Sequence, residues 1–443
     1  MVSFTAADLA LTLQRILPAE ASGLVVGLSG GLDSCCLANA LSQLPARLPL
    51  RAVHVDHGLQ PAAAGFRDHA EALCARIGIP LQVIRVTVGA PSGTSLEAAA
   101  RDARYAALAA ELQAGECLLT AHTCDDQAET FLLQALRGAG PQGLAAMPMR
   151  REFGAGWHLR PLLGVTREAL CGYATVAGVT GVSDPMNLDP RFDRVYLRQA
   201  VWPALERRWP GAAAALARAA QHSGEAQQQI EALADADLAL ARDGDGLSVR
   251  HLRRLPAPRQ LYALRRWLDA AGAMLPPTAR LIEALRQVLD AGTDHLPAVS
   301  WGPHALRRYR DRILLTPAAI PRLQGVRHWD WRRDPVLELG PGLGRLHALQ
   351  RPGGLALPAA GCLEVRPRAG GERLRATVAG RTQTVQHLCQ ARGILPWVRD
   401  ALPFIFAADT LVAVADLWVS AAHCAPGGEP GLQLAWEHSL TVA

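Results

Sequence analysis

The chain contains no lysine: all 45 of its basic residues are arginine. No protein amine can therefore act as nucleophile, Schiff base or phosphate clamp. Cationic contacts to phosphate must come from guanidinium groups, which bind it bidentately. GC-rich codon usage accounts for such a bias without any functional cause. Aromatic residues are also scarce, at 5%, so aliphatic side chains and alanine must do most of the packing. No run of about 18 uncharged apolar residues occurs, and none is expected to span a membrane. Met1 to Glu20 lack the basic-then-apolar order of a signal peptide. The expectation is a soluble cytoplasmic protein with no membrane partner. The nine cysteines include no Cys-x-x-Cys pair, which argues against a disulfide framework and against a zinc ribbon.

What is present suits several globular domains. The 443 residues are 50% hydrophobic with a net charge of only +5, enough for two to four cores. Between residues 20 and 160, short apolar runs alternate with helical patterns. Gly23–Leu28, Arg51–Asp56, Leu81–Val88 and Cys117–Ala121 read as strands; Asp33–Leu44, Gly65–Ile77 and Ser95–Leu112 read as helices. This alternation predicts an α/β fold with a doubly wound parallel sheet, whose ligands bind at the carboxyl ends of the strands. Beyond residue 210 the strand signal fades. Gly211–Arg242, Pro258–Ala271 and Pro277–Ala291 read as helices, and 317–361 is rich in Pro and Gly. The expected division is a catalytic domain at 1–215, a mostly helical middle domain at 216–325, a linker at 326–361 and a small α+β domain at 362–443.

The central signal is Ser29-Gly30-Gly31-Leu32-Asp33-Ser34, placed after a strand and before a helix. Glycines there let bare backbone approach a ligand. Successive N–H groups and the helix N-terminus make an anion nest, and the hydroxyls of Ser29 and Ser34 can donate to phosphate oxygens. Asp33 would repel phosphate, so it reads as a magnesium ligand or an N-cap. A Walker loop is excluded, since it needs a lysine.

This loop resembles that of the N-type ATP pyrophosphatases (PP-loop superfamily). Further segments narrow the resemblance: Val53-His-Val-Asp-His-Gly-Leu-Gln60, Ala121-His-Thr-Cys-Asp-Asp-Gln-Ala-Glu-Thr130, Arg160-Pro-Leu-Leu163, Asp184-Pro-Met-Asn187, and, near the end, Val365–Arg373 and Ile394–Pro403. In this order they resemble the tRNA(Ile)-lysidine synthetase family over the whole chain. The resemblance implies a PP-loop catalytic domain that activates the C2 oxygen of the wobble cytidine in an isoleucine tRNA with anticodon CAU. ATP and Mg2+ are the implied cofactors, and free L-lysine then attacks the adenylated base. The product, lysidine, pairs with A instead of G, and AMP and pyrophosphate leave.

Site residues follow. Asp126 and Glu129, three apart on one helix face, can hold a lysine ammonium, take its proton or bind magnesium; the resemblance assigns them to lysine. Complementing the helix macrodipole is the plainer reading. His54 and His57 stand at a strand end and could contact the adenosine or the base, though a structural histidine is an equal reading for either. Arg101 either pairs with Glu97 on a solvated face or faces the adenylate, where it would offset charge on the α-phosphate. Arg191, Arg194 and Arg198 would form one helical stripe suited to tRNA phosphates or the anticodon, or simply a solvated face.

Some positions depart from the family pattern. Thr123 stands where a second histidine is common, Met186 replaces a serine, Val195 an asparagine, and Gln386 lies where a basic segment is usual. Arg366, Arg368, Arg373, Arg375 and Arg381 could compensate in the last domain. The regions 216–325 and 362–443 are expected to read the tRNA body and acceptor stem, with Arg253-Arg254, Arg265-Arg266 and Arg307-Arg308-Tyr309-Arg310 as candidate phosphate contacts. The sequence leaves the oligomeric state open and admits a homodimer. Three competing readings remain: a PP-loop cytidine 2-thiolase, a tRNA-binding protein with a decayed site, and a small-molecule ligase of the NAD or GMP type.

Overall fold

The computed structural model of the chain describes residues 4–45, 48–56, 63–87, 89, 96–182, 192–292, 296–356 and 362–438. His57, Arg191, Ser92–Ser95 and Asp184–Asn187 lie outside the described residues, as does the Glu97 side chain. The chain forms two compact units, residues 1–230 and 231–443.

In the first unit α1 (Ala6–Ile16) leads into β1 (Gly23–Gly27), α2 (Leu32–Ser42), β2 (Leu50–Asp56), α3 (Ala63–Ile77), β3 (Leu81–Arg85), α4 (Leu96–Glu111), β4 (Glu116–Leu119) and α5 (Cys124–Leu136). A short α6 (Pro141–Leu144), a hairpin of β5 (Arg150–Phe153) and β6 (Gly156–Leu159), and α7 (Arg167–Ala177) follow. The sheet order is β3-β2-β1-β4-β6-β5. All neighbours run parallel except β5, which is antiparallel to β6. This is the predicted doubly wound parallel sheet.

Burial explains the sequence pattern. In β1, Val25 and Val26 are both buried although they point to opposite faces, as expected when helices cover both sides. On α2, Ser34 through Ala38, Ala40 and Leu41 are buried, so the helix after the glycine loop is clamped over its length. The strand order reverses between β1 and β4. The loops after these two strands therefore flank one crevice, the expected ligand position in such a sheet.

After α7, helical turns α8 (Asp193–Tyr196), a π-helical segment at Leu197–Val201 and α9 (Trp202–Arg208) lead to the 30-residue α10 (Ala212–Ala241). The boundary expected at 215 thus falls inside a continuous helix.

In the second unit the end of α10 is followed by helices α11 (Val249–Arg254), α12 (Ala257–Ala270) and α13 (Thr278–Asp290), the last two close to the predicted bounds. They pack on a five-stranded antiparallel sheet built from Arg242–Asp243, Gly246–Ser248, Ala298–Trp301, His304–Tyr309 and Arg312–Pro317. The middle region is thus helical but also carries a sheet. The segment 326–361, expected as a linker, carries strands instead. Arg327–Trp329 pairs with Leu363–Arg366, and Gly344–Pro352 pairs with Pro430–Glu437. Its glycines make a tight hairpin: Gly340, Gly342 and Gly344 have φ of 113°, 75° and 71°, which favours glycine. Leu339 and Leu346 point into the core beside them. The C-terminal region is strand-rich, with one helix at Val385–Ala391.

Several arginines expected to meet phosphate are spent inside this unit. Arg308 is buried and donates from Nη1 to the carbonyls of Val288, Leu289 and Ala291, closing the C-terminus of α13. Arg253 also donates to the Leu289 carbonyl. Arg307 bonds Thr316 Oγ1 and the Ala318 carbonyl, and Arg266 pairs with Asp235. Arg366 pairs with Glu364 and Asp409, and Arg368 with Asp400.

Candidate active site

The loop after β1 is held by its own hydroxyls. Ser34 Oγ donates to the Gly31 carbonyl at 2.9 Å and accepts from the Ser29 N–H at 3.2 Å. Ser29 Oγ accepts from the Gly31 N–H at 3.3 Å and lies 3.0 Å from Ser34 Oγ. Both hydroxyls, expected to donate to phosphate, hold the turn here. Gly30 sits at φ 83° with Phe66 backbone 3.0 Å from where a Cβ would stand. Gly31 is the N-cap of α2 and provides no side-chain cap. The first-turn N–H groups, Leu32 among them, therefore lack a side-chain acceptor and face the position an anion would take.

His54 is buried on β2, its Nδ1 2.8 Å from the Leu28 carbonyl. A carbonyl only accepts, so Nδ1 carries the proton and steadies the strand end below the loop. This places His54 as a structural support with Nε2 as its acceptor edge.

Across the crevice, α5 opens with Thr123 as N-cap. Asp126 Oδ2 accepts from the Thr123 N–H at 2.9 Å and from its hydroxyl at 3.0 Å, and the Asp126 N–H donates back to Thr123 Oγ1 at 3.4 Å. This capping box turns Asp126 Oδ1 inward. Thr123, a departure from the family pattern, is thus a working cap. Asp125 lies on the other side of the turn and accepts from the Arg167 N–H at 2.7 Å, tying α5 to the start of α7.

Two arginines organise the carboxylates. Arg198 Nε reaches Glu129 Oε1 at 2.5 Å, and its Nη2 reaches Glu129 Oε2 at 2.9 Å and Asp126 Oδ1 at 3.0 Å. Arg167 Nη2 stands 3.6 Å from Asp33 Oδ2 and 3.7 Å from Asp126 Oδ1. Arg194 donates to Thr130 Oγ1 at 3.1 Å. The expected phosphate stripe is therefore turned inward at Arg194 and Arg198, toward α5. Arg198 lies in the π-helical segment, whose extra residue re-aims it. Neither Arg167 nor the pairing of Arg198 was legible in the sequence, because both contacts join residues distant along the chain.

The two carboxylates differ electrostatically. Burial pushes the Glu129 carboxyl above its ordinary range, with Arg198 opposing. Burial also acts to raise Asp126, but the Thr123 backbone N–H, Arg167 and Arg198 outweigh it and hold that carboxyl below its usual value. Asp33 is raised, chiefly by burial. Replacing Arg198 by Gln will remove the cation that opposes the rise of Glu129. If ionised Glu129 serves the reaction, the acid limb of the rate–pH profile will move to higher pH; a rate profile with an unmoved limb would count against it.

Arg101, on α4, stacks over Tyr105 with 5.2 Å from guanidinium carbon to ring centroid. Its charge also bears on His122 and His158 at the end of β4 and in β6, so it faces this end of the sheet. Among the described residues, no group of three or more His, Cys, Asp or Glu is arranged to hold a metal ion, and all nine cysteines are free. Burial pushes the thiols of Cys35 and Cys36 up to about 11 and about 12, so they are inert core residues.

Comparison with known proteins agrees with this architecture. A PP-loop domain family matches residues 6–205, a TilS substrate binding domain residues 247–314 and a TilS substrate C-terminal domain residues 363–436. A tRNA(Ile)-lysidine synthase of Alkalilimnicola ehrlichii is 43% identical over 94% of this chain and 94% of its own. The chain belongs to the tRNA(Ile)-lysidine synthase family. A further family member, from Pseudomonas aeruginosa, is 42% identical over 91% of this chain and 92% of its own. Among solved structures, a U34-tRNA thiolase from Methanococcus maripaludis with its [4Fe-4S] cluster aligns at a TM-score of 0.40 and 19% identity, covering 49% of this chain and 77% of its own. That likeness is too slight to carry weight. No helix among the described residues is long and apolar enough to cross a membrane.

Proposed function

We propose that this chain uses ATP to join free L-lysine to C2 of the wobble cytidine in a CAU-anticodon isoleucine tRNA. The observation that carries the reading is Arg167, which stands within 3.6 Å of Asp33 in the phosphate loop and 3.7 Å of Asp126 in the carboxylate pair. One crevice thus holds a triphosphate nest and an ammonium-binding pair side by side, as a two-step ligation requires.

In the first step the loop N–H groups cradle the phosphates while the cytidine C2 oxygen attacks the α-phosphorus and pyrophosphate leaves. Arg101 and Arg167 offset the charge that gathers on the α-phosphate. Asp33 would hold a magnesium ion, which prefers one or two carboxylates plus phosphate oxygens and water. That ion, when bound, neutralises the triphosphate.

In the second step the lysine ε-nitrogen attacks C2 and AMP leaves. Free lysine arrives as an ammonium and must lose its proton first. Environments that push two carboxyl pKa values apart mark acid–base roles. Asp126, held ionised, binds the ammonium; Glu129, raised by burial, takes the proton. A chain without lysine offers no competing ε-amine of its own. The middle and C-terminal regions are read as holding the tRNA body, since the anticodon alone cannot separate this tRNA from the elongator methionine tRNA. The carboxylate-lined site has no cysteine ligands to an iron–sulfur cluster among its described residues, which favours an amine over sulfur as nucleophile.

Incorporation of labelled lysine, with ATP, magnesium and either tRNA transcript, tests the proposal. Label on the isoleucine tRNA alone is expected. Pyrophosphate release without label on either would retain adenylation and reject lysine.

A further inference from the structure

A line of buried and half-buried polar groups leads to the start of α5 and takes no part in the chemistry above. It begins at Arg160, just after β6, which is buried and donates from Nη1 to the Pro148 carbonyl at 2.7 Å. Its Nη2 lies 3.2 Å from Nδ1 of His158, a fully buried residue of β6. Nε2 of His158 lies 2.8 Å from Thr120 Oγ1, at the end of β4. The same hydroxyl lies 2.8 Å from Nδ1 of His122. Tyr105 and Phe153 wall in the His158 ring, with centroids 5.7 Å and 5.5 Å away.

Donor and acceptor chemistry gives each hydrogen bond in this line a direction. A guanidinium has no acceptor, so His158 Nδ1 must accept. Burial and then Arg160 pull His158 down to about 2 and His122 down to about 3, so both rings are neutral at working pH. A neutral imidazole carries one proton, so that of His158 is on Nε2 and goes to Thr120. Among the described residues the Thr120 hydroxyl has no acceptor other than Nδ1 of His122, so its own hydrogen goes there. The proton of His122 is therefore on Nε2, the edge turned away from Thr120, and no described residue bonds that atom. The charges bearing on the ring are Arg160, Asp126, Arg101 and Arg194.

We propose that His122 is a fixed, uncharged hydrogen-bond donor in the active site, with its tautomer set by the Arg160–His158–Thr120 relay. It donates Nε2–H to a substrate oxygen that gains negative charge during adenylation. The acceptor is either the cytidine C2 oxygen or an oxygen of the ATP α-phosphate. Neutrality matters because the lysine ammonium must dock on Asp126 nearby, where an imidazolium would repel it. His122 is the donor and Thr120, His158 and Arg160 are positioning residues. This rests on the ligation reading for its substrate, but the tautomer itself does not.

The test has three arms. In [15N]histidine-labelled wild-type protein, the His122 signal, identified by its loss in His122→Asn, should show bare Nδ1 and protonated Nε2 from pH 8 to pH 5. An Nδ1–H tautomer, or titration in that window, would overturn the proposal. Thr120→Val should lower tRNA-dependent pyrophosphate release about 10²-fold, leave the KM for lysine unchanged and mix the tautomers; Thr120→Ser should restore both rate and signal. A wild-type rate in Thr120→Val with the tautomer lost would also overturn it. Binding of α,β-methylene-ATP without tRNA separates the acceptors. His122→Ala weakens it if the acceptor is phosphate and leaves it unchanged if the acceptor is the base, its pyrophosphate release falling in both cases. Absence of lysine incorporation, with the tautomer and the pyrophosphate effects intact, would sink only the lysine reading.

Discussion

Glu129→Gln will stop lysine transfer while tRNA-dependent pyrophosphate release continues. The loss expected for a missing general base is about 10²- to 10⁴-fold in kcat, and it should leave the KM for lysine nearly unchanged. Asp126→Asn should do the reverse, raising the KM for lysine more than it lowers kcat, because Asp126 holds the ammonium and does not take its proton. The two variants can be compared directly, since both are isosteric and both remove one charge beside Arg198. Each also strands part of a buried ion cluster, and breaking such a cluster can cost about 3–5 kcal/mol. Thermal unfolding must therefore accompany the kinetics, so that lost activity is not lost fold. Asp126→Asn also weakens the Thr123 capping box, worth about 1 kcal/mol, and should be the less stable of the two. If Glu129→Gln raised KM and Asp126→Asn lowered kcat, the roles would be exchanged; if neither touched lysine transfer, the pair would have no part in it. In the wild type, transfer should fall as pH drops through the raised Glu129 pKa, because only the ionised form can accept the proton.

Much of the fold was readable because its signals are local. The strands β1, β2 and β4 are short apolar runs, and α2, α3 and α4 have helical spacing, so their bounds fall within a few residues of expectation. Features that depend on distant partners were not readable. The β5–β6 hairpin is charged on its outer strand and turns on Gly154 and a neighbouring glycine, with no apolar run to announce it. The region 326–361 reads as a linker by its Pro and Gly content, whereas Gly340, Gly342 and Gly344 hold left-handed conformations at the turn between paired strands. At the site, Asp126 and Glu129 stood out through their spacing, but nothing local marks Arg198 as their partner. Its spacing to Arg194 fits a surface stripe equally well; the π-helical register at 197–201 turns it inward. Thr120, His158 and Arg160 were hidden for the same reason, since their relay joins the ends of two strands.

Gly181→Ala will disable the phosphate loop from outside it. The chain leaves α7 through Gly178, passes over the loop and bonds it through the Val182 N–H to the Gly30 carbonyl at 3.0 Å. A Cβ on Gly181 would stand 2.3 Å from the Leu32 nitrogen and 2.5 Å from the Leu32 Cα. Both are backbone atoms at the N-terminus of α2, so no rotamer change can relieve the clash. The Leu32 N–H is one of those that would cradle phosphate, and α2 behind it is buried nearly end to end. The strain must then be taken by the loop itself. Overpacking of this kind costs about 1–3 kcal/mol, and a displacement of about 1 Å at a reacting group can cost about 10²-fold in rate. Gly181→Ala should therefore lose about 10²-fold in pyrophosphate release and bind an ATP analogue weakly, while lysine-site substitutions leave that binding intact. Gly178 provides the control three residues away. It has φ of 63° and open space around its Cβ position, so Gly178→Ala should cost about 1 kcal/mol of stability and leave nucleotide affinity unchanged. Equal nucleotide affinity in the two variants would mean that the return segment does not brace the loop, and that the loop owes its shape to Ser29 and Ser34 alone.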